Sequence, residues 1–191
     1  YGALIVGIGI VAASVSFTVY GTIHARQMTT RSYDINVEKQ VDGIDSLNVV
    51  LVADLHLGYS IGCDDMRKMA ERINALNPDV VIYAGDIFDN DYDALDDEAE
   101  LKEILHSINA KYGSYAVFGN HDVTETLVGG FSTASSRKAF RDSRMESFLD
   151  EAGINIMLDE VTTIADGKIN LIGRLDGEKA GDGTRNRKDL S

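Results

Sequence analysis

The stretch Asn48-Val49-Val50-Leu51-Val52-Ala53-Asp54-Leu55-His56 decides the reading of this chain. A run of apolar, mostly β-branched residues stops at an aspartate, and a histidine follows two positions later. Such a run fits a strand buried on both faces. Asp54 and His56 then lie at its carboxyl end, where open α/β sheets place their ligands. An Asp-x-His pair alone is common, but here the pattern recurs twice. Val80-Val81-Ile82-Tyr83-Ala84-Gly85 runs into Asp86, with Asp89 three positions on, and Tyr115-Ala116-Val117-Phe118-Gly119 runs into Asn120-His121-Asp122. Strand after strand therefore delivers Asp, His, Asp, Asn and His to one edge of a sheet. That is the composition of a metal site holding one ion or two.

The segments between these runs read as helices. Met66, Met69, Ala70, Ile73 and Leu76 recur at helical spacing, with Asp64 or Asp65 as N-cap and Pro78 closing the helix. Leu101, Ile104, Leu105 and Ile108 mark the apolar face of a second helix. Asp96, Asp97 and Glu98 fall in its first turn, where the macrodipole favours anions, and Gly113 is expected to end it as a C′ residue. Asp91 and Asp93 read as loop and cap residues, and His106 as a helix-surface residue. A polar stretch, Thr124 to Ser136, reads as a loop bordering the site. Phe140, Phe148 and Leu149 suggest another helix, stopped at Gly153. Ile154 to Leu158, Val161 to Ile164 and Ile169 to Ile172 are short strand candidates, and beyond Gly173 the chain is Gly-rich and charged. Helices alternating with strands predict an α/β layered domain.

The amino-terminal part has a different texture. Residues 1–23 carry no charged side chain, and a stretch of this length matches one membrane crossing. Tyr20, Arg26 and Arg31 sit where interfacial residues are expected. The sequence thus divides into a transmembrane helix over 1–24, a linker and first strand over 25–46, and the main domain over 47–191. The first strand is read from Tyr33, Ile35 and Val37 alternating with Asp34, Asn36 and Glu38. The expected location is the cell membrane, with the side left open because the positive-inside rule needs both flanks.

Composition excludes several functions. With 31 acidic against 18 basic residues, the net charge of −13 argues against a nucleic-acid partner held through its phosphate backbone. Bound divalent cations would reverse the sign locally, so small phosphate esters stay admissible. Cys63 is the one cysteine, which removes both an internal disulfide and a thiolate zinc site. A flavodoxin-like or nucleotide-binding domain has no Gly-rich phosphate loop here to support it.

Carboxylates and neutral imidazoles are ligands for Mn²⁺, Fe and Zn²⁺. Two such ions can clamp the nucleophile and the phosphoryl oxygens of an in-line displacement, and they supply hydroxide near neutral pH. Asp54-x-His56, Gly85-Asp86-x-x-Asp89 and Gly119-Asn120-His121-Asp122 resemble the first motifs of the calcineurin-like metallophosphoesterases, over roughly residues 47–172. The Tyr20-Gly21 and Asp54-Leu55-His56-Leu57-Gly58 stretches further resemble its membrane-anchored bacterial members. The resemblance implies a layered β-sandwich flanked by helices and a two-metal hydrolase of phosphate mono- or diesters. It implies that Asp54 and His56 bind a first metal, that Asp86 bridges both, and that Asn120 binds the second. It gives His121 transition-state stabilisation or protonation of the leaving group, and Asp89 the orientation of His121. Asp122 receives no direct chemistry. Arg174 is a candidate contact for a substrate phosphate. A lipid-linked or cell-envelope phosphate ester is the substrate that membrane attachment suggests.

One departure bears on activity. The family completes its metal shells with a later histidine and a Gly-His-x-His motif. Here the histidines are His24, His56, His106 and His121, and no such motif occurs. The expectation is therefore an amino-terminal portion of the domain, incomplete at its C-terminus and inactive by itself. The alternative is a membrane-bound, non-catalytic domain that binds or senses metal and phosphate.

Overall fold

Gly2–Ala25 form one helix, α1, whose apolar residues lie all around it rather than along a stripe. It is long and apolar enough to cross a membrane, with a mean hydropathy of 2.2. Two of its hydroxyls are satisfied within the helix: Thr18 Oγ1 donates to Ser14 O and Thr22 Oγ1 to Thr18 O, each at 2.9 Å. A helix in lipid requires this of its polar groups. The computed structural model describes residues 1–25, 27–125, 127–128, 131–132 and 140–177. Arg26, parts of the loop read over 124–136 and the Gly-rich tail past 177 lie outside the described residues. The chain divides into two units, Tyr1–Glu38 and Lys39–Ser191.

The strand expected at Tyr33 to Val37 does not form. These residues join no ladder among the described residues, and Tyr33, Ile35 and Val37 are 75%, 82% and 68% exposed. Alternation alone cannot make a strand, because the ladder requires a neighbour to receive the backbone hydrogen bonds. The turn at Gly43 does form, at φ +74, within a Val41–Ile44 bridge.

The second unit follows in the order β1 (Val49–Val52), α2 (Cys63–Ala75), β2 (Val80–Ala84), a 3₁₀ turn (Tyr92–Ala94), α3 (Glu98–His106) and β3 (Ser114–Val117). After these come β4 (Leu127–Val128), β5 (Phe131–Ser132), α4 (Ser143–Glu151), β6 (Ile154–Ile156), β7 (Glu160–Ile164) and β8 (Ile169–Gly173). The central sheet has the order β1-β2-β3-β6, all parallel. β4 pairs with β5, and β7 with β8, as antiparallel two-stranded sheets.

Side-chain alternation on β2 assigns the two faces. Val80 and Ile82 pack against Ile164, Ala165, Ile169 and Leu171 of the β7–β8 hairpin. Val81 and Tyr83 point to the opposite face and are buried. Met66, Met69 and Ile73 of α2, Leu101 and Leu105 of α3, and Met145, Phe148 and Leu149 of α4 are also buried in the core. Full burial on both faces does not extend to β1, where Val49 and Leu51 are 45% and 67% exposed. β1 is the edge of the sheet, so its side chains have neighbours on one flank only.

Capping is more distributed than the sequence suggests. α2 begins at Cys63 rather than after Asp64 or Asp65, with Gly62 as N-cap and no side-chain bond of its own. Asp96 supplies the acceptor instead, its Oδ2 receiving Cys63 N–H at 3.3 Å. Asp97 caps α3 through Glu100 N–H at 3.0 Å, and Asp142 caps α4 through Arg144 N–H at 2.9 Å. Much of the acidic run thus closes helix ends. Leu101 is fully buried and Leu51 largely exposed on β1. Leu101→Ala is therefore expected to cost about 2–5 kcal/mol and Leu51→Ala less than about 1 kcal/mol in chemical denaturation followed by circular dichroism.

Candidate metal centre

Each strand of the trio β1, β2, β3 ends at the same edge of the sheet, and the backbone then turns sharply. Asp54, His56 and Asp86 take left-handed φ values of +56, +48 and +52. Such values are uncommon outside glycine and cost about 1 kcal/mol or more each. The loops holding them are stitched together by backbone bonds. Asp54 N–H donates to Gly85 O at 3.2 Å, His56 N–H to Asp86 O at 3.0 Å, and Leu57 N–H to Ile87 O at 2.8 Å. The third loop joins through Asn90 N–H to His121 O at 3.1 Å and His121 N–H to Asp86 Oδ1 at 2.9 Å.

This stitching brings the sequence-predicted residues together. Ligand atoms of Asp54, His56 and Asp86 all lie within 4.8 Å of one another, as do those of His56, Asp89 and His121. His56 is common to both groups. Asn120 is half-buried in the turn immediately before His121. His56 and His121 meet edge to face, with ring centroids 4.9 Å apart. Asp54 and Asp86 place two carboxylates at a separation where like charges repel, and a cation between them would relieve that repulsion. The donor set, carboxylates with imidazole, fits a divalent ion of the Mn²⁺, Fe or Zn²⁺ type.

Two glycines make the approach of β2 and β3 possible. A Cβ on Gly85, at φ +95, would stand 2.9 Å from Gly119 Cα, and one on Gly119 would collide with the Asp86 carboxylate and lie 2.7 Å from Asp86 N. Behind them Asp122 is fully buried. Its Oδ1 receives Phe88 N–H at 2.8 Å and its Oδ2 receives Gly119 N–H at 2.7 Å. Burial pushes this carboxyl up to about 6, against the pull of those backbone N–H groups.

The environment of His121 is richer than the sequence indicated. Its Nδ1 lies 2.5 Å from Asn90 Oδ1 and 3.9 Å from Asp89 Oδ1. The same Asp89 oxygen is 3.4 Å from His56 Nδ1. Sequence reasoning missed Asn90, and the available signal was slight: an asparagine in a sharp loop, where it tolerates the left-handed φ of +59 that it takes here. Arg174 Nε lies 3.2 Å from Oδ1 of the buried Asp159. Gly119→Ala should lower both the stability of the chain and its Mn²⁺ affinity, read by thermal melts with and without the metal. Unchanged metal affinity would mean that the Asp86 carboxylate can shift without loss.

The matches to known proteins agree with this geometry. Among the similar curated proteins is a transmembrane protein with metallophosphoesterase domain from Danio rerio, 34% identical over 149 residues, which cover 72% of this chain and 33% of that protein. The uncharacterized metallophosphoesterase YkuE of Bacillus subtilis is 27% identical over 134 residues, 70% of this chain and 44% of its own length. UDP-2,3-diacylglucosamine pyrophosphatase LpxG of Chlamydia trachomatis is 30% identical over 105 residues, 53% of this chain and 31% of its own. The chain thus spans less than half the length of each of these relatives. Residues 47–185 match the family model of the calcineurin-like phosphoesterases, and they carry every strand end described above, so the chain belongs to that family.

Proposed function

We propose that the protein containing this chain is a membrane-anchored, metal-dependent hydrolase of phosphate mono- or diesters. The observation that carries the reading is the convergence of Asp54, His56 and Asp86 within 4.8 Å at the carboxyl edge of a parallel sheet. Asp54 and His56 would hold a first divalent ion, Asp86 would be shared with a second, and Asn120 would offer its side-chain oxygen to that second ion. When bound, such ions polarise a phosphoryl oxygen and lower the pKa of a coordinated water. His121 stabilises the transition state or protonates the leaving oxygen. Asp89, its Oδ1 3.4 Å from His56 Nδ1 and 3.9 Å from His121 Nδ1, keeps the His56 ring oriented and offsets positive charge on both imidazoles. α1 anchors the domain to the cell membrane, as the name of the Danio rerio relative suggests. The name of the Chlamydia relative makes a lipid-linked pyrophosphate ester a substrate worth testing.

Manganese is the first metal to try, since a carboxylate, amide and imidazole site accepts it readily. The full-length parent protein is expected to cleave a generic aryl phosphodiester with Mn²⁺, to lose that activity on chelation and to recover it on re-addition. Asp86→Asn, which removes the shared carboxylate, should bring turnover to background. Equal activity in that variant would overturn the assignment.

Among the described residues, Asp54, His56, Asp86 and Asn120 supply fewer protein donors than two ions that each take four or more ligands call for. The stretch 1–191 by itself is therefore expected to bind Mn²⁺ weakly and to show no turnover. That donor count also favours a second reading, a membrane-bound domain that binds or senses metal and phosphate without catalysis. Metal binding by the parent protein with no turnover of any ester would place that reading first.

A further inference from the structure

We infer that Asn90 is a positioning residue for His121: its side-chain amide fixes the imidazole as the Nδ1–H tautomer, leaving Nε2 as the nitrogen that meets substrate. The inference rests on the role proposed above for His121, but its geometry stands independently of any activity.

Asn90 is 1% exposed, and its polar groups are engaged with one segment of chain. Its backbone N–H donates to His121 O at 3.1 Å, and its carbonyl receives Glu125 N–H at 3.2 Å. Its Nδ2 donates to Val123 O at 3.2 Å, and its Oδ1 lies 2.5 Å from His121 Nδ1. The Val123 carbonyl can only accept, so the amide must present NH₂ to it and oxygen to the ring. An amide oxygen also only accepts. Nδ1 must therefore carry a hydrogen, which in the neutral ring puts the lone pair on Nε2. Asp89 Oδ1, 3.9 Å from Nδ1, is beyond hydrogen-bond reach in this arrangement. The left-handed φ of +59 at Asn90 suits asparagine or glycine, which allows the amide to be removed without straining the backbone.

The experiment is ¹⁵N NMR of the ring nitrogens in the histidine-labelled 191-residue chain, metal-free in detergent micelles, at a pH where the imidazoles are neutral. The signals of His121 are assigned by their loss in His121→Gln. The expected result is a pyrrole-like Nδ1 and a pyridine-like Nε2. Asn90→Gly should release the ring toward the Nε2–H form preferred by free imidazole, and Asn90→Asp, which keeps an acceptor at the same place, should restore Nδ1–H. In the parent protein, Asn90→Gly should lower kcat about 10–100-fold with KM little changed, and Asn90→Asp should recover part of the loss. An Nε2–H tautomer in the unsubstituted chain would overturn the inference, as would an unchanged Nδ1–H ring in a folded Asn90→Gly chain. If Asn90→Gly fails to fold, the unsubstituted spectrum and the Asn90→Asp chain decide. Absence of phosphoesterase activity in the parent would count against the proposed function while leaving the tautomer result standing.

Discussion

Everything at the metal edge depends on one buried carboxylate accepting two backbone N–H groups. Asp122 receives Phe88 N–H and Gly119 N–H, and so ties the loop after β2 to the loop after β3. Each N–H left unmet in that interior would cost roughly 1–3 kcal/mol. The bond has an electrostatic cost as well, since burial raises the carboxyl toward about 6 while the N–H groups favour its charged form. With the two loops held in this register, Gly119 can lie against Asp86, and His121 N–H can reach Asp86 Oδ1. The positions of Asp86 and His121 are thus set by a residue that belongs to neither candidate ligand group.

A second anchor holds the loop after β2 from the helix side. Phe88 packs edge to face on Phe148 at 5.5 Å, and Tyr92 adds a further ring contact to each of them. The loop after β2 therefore has polar fixation at one end of Phe88 and apolar fixation at the other. Such rigid support is what a metal site needs, because ligand geometry is only as good as the groups that hold the ligands.

Much of this was legible in the sequence because its signals are local. Three apolar runs, two ending in Asp54 and Asp86 and the third in Asn120-His121, mark parallel strands and the edge at which they deliver ligands. Met66, Met69, Ile73, Leu101 and Leu105 mark the helix faces that prove buried. What was not legible depends on contacts between distant segments. Nothing in Tyr33, Ile35 and Val37 reveals that they join no ladder among the described residues. The cap of α2 comes from Asp96, 33 positions from Cys63. Asn90 bonds to His121 across 31 positions, and its amide orientation follows only once Val123 is placed beside it. The edge position of β1, which leaves Leu51 exposed, follows from strand order, which hydrophobicity along one segment does not encode.

The left-handed backbone at Asp54, His56 and Asp86 sets stability and chemistry in opposition. A glycine at any of the three would relax the chain, and at Asp54 or Asp86 it would also relieve, in the ligand-free state, the crowding of negative charge. Selection for thermal robustness alone would therefore drift away from the residues that can hold an ion. Only a requirement for the bound ion would retain them. Improved variants of this domain should accordingly be sought with metal present, so that ligand binding and folding reward the same sequence.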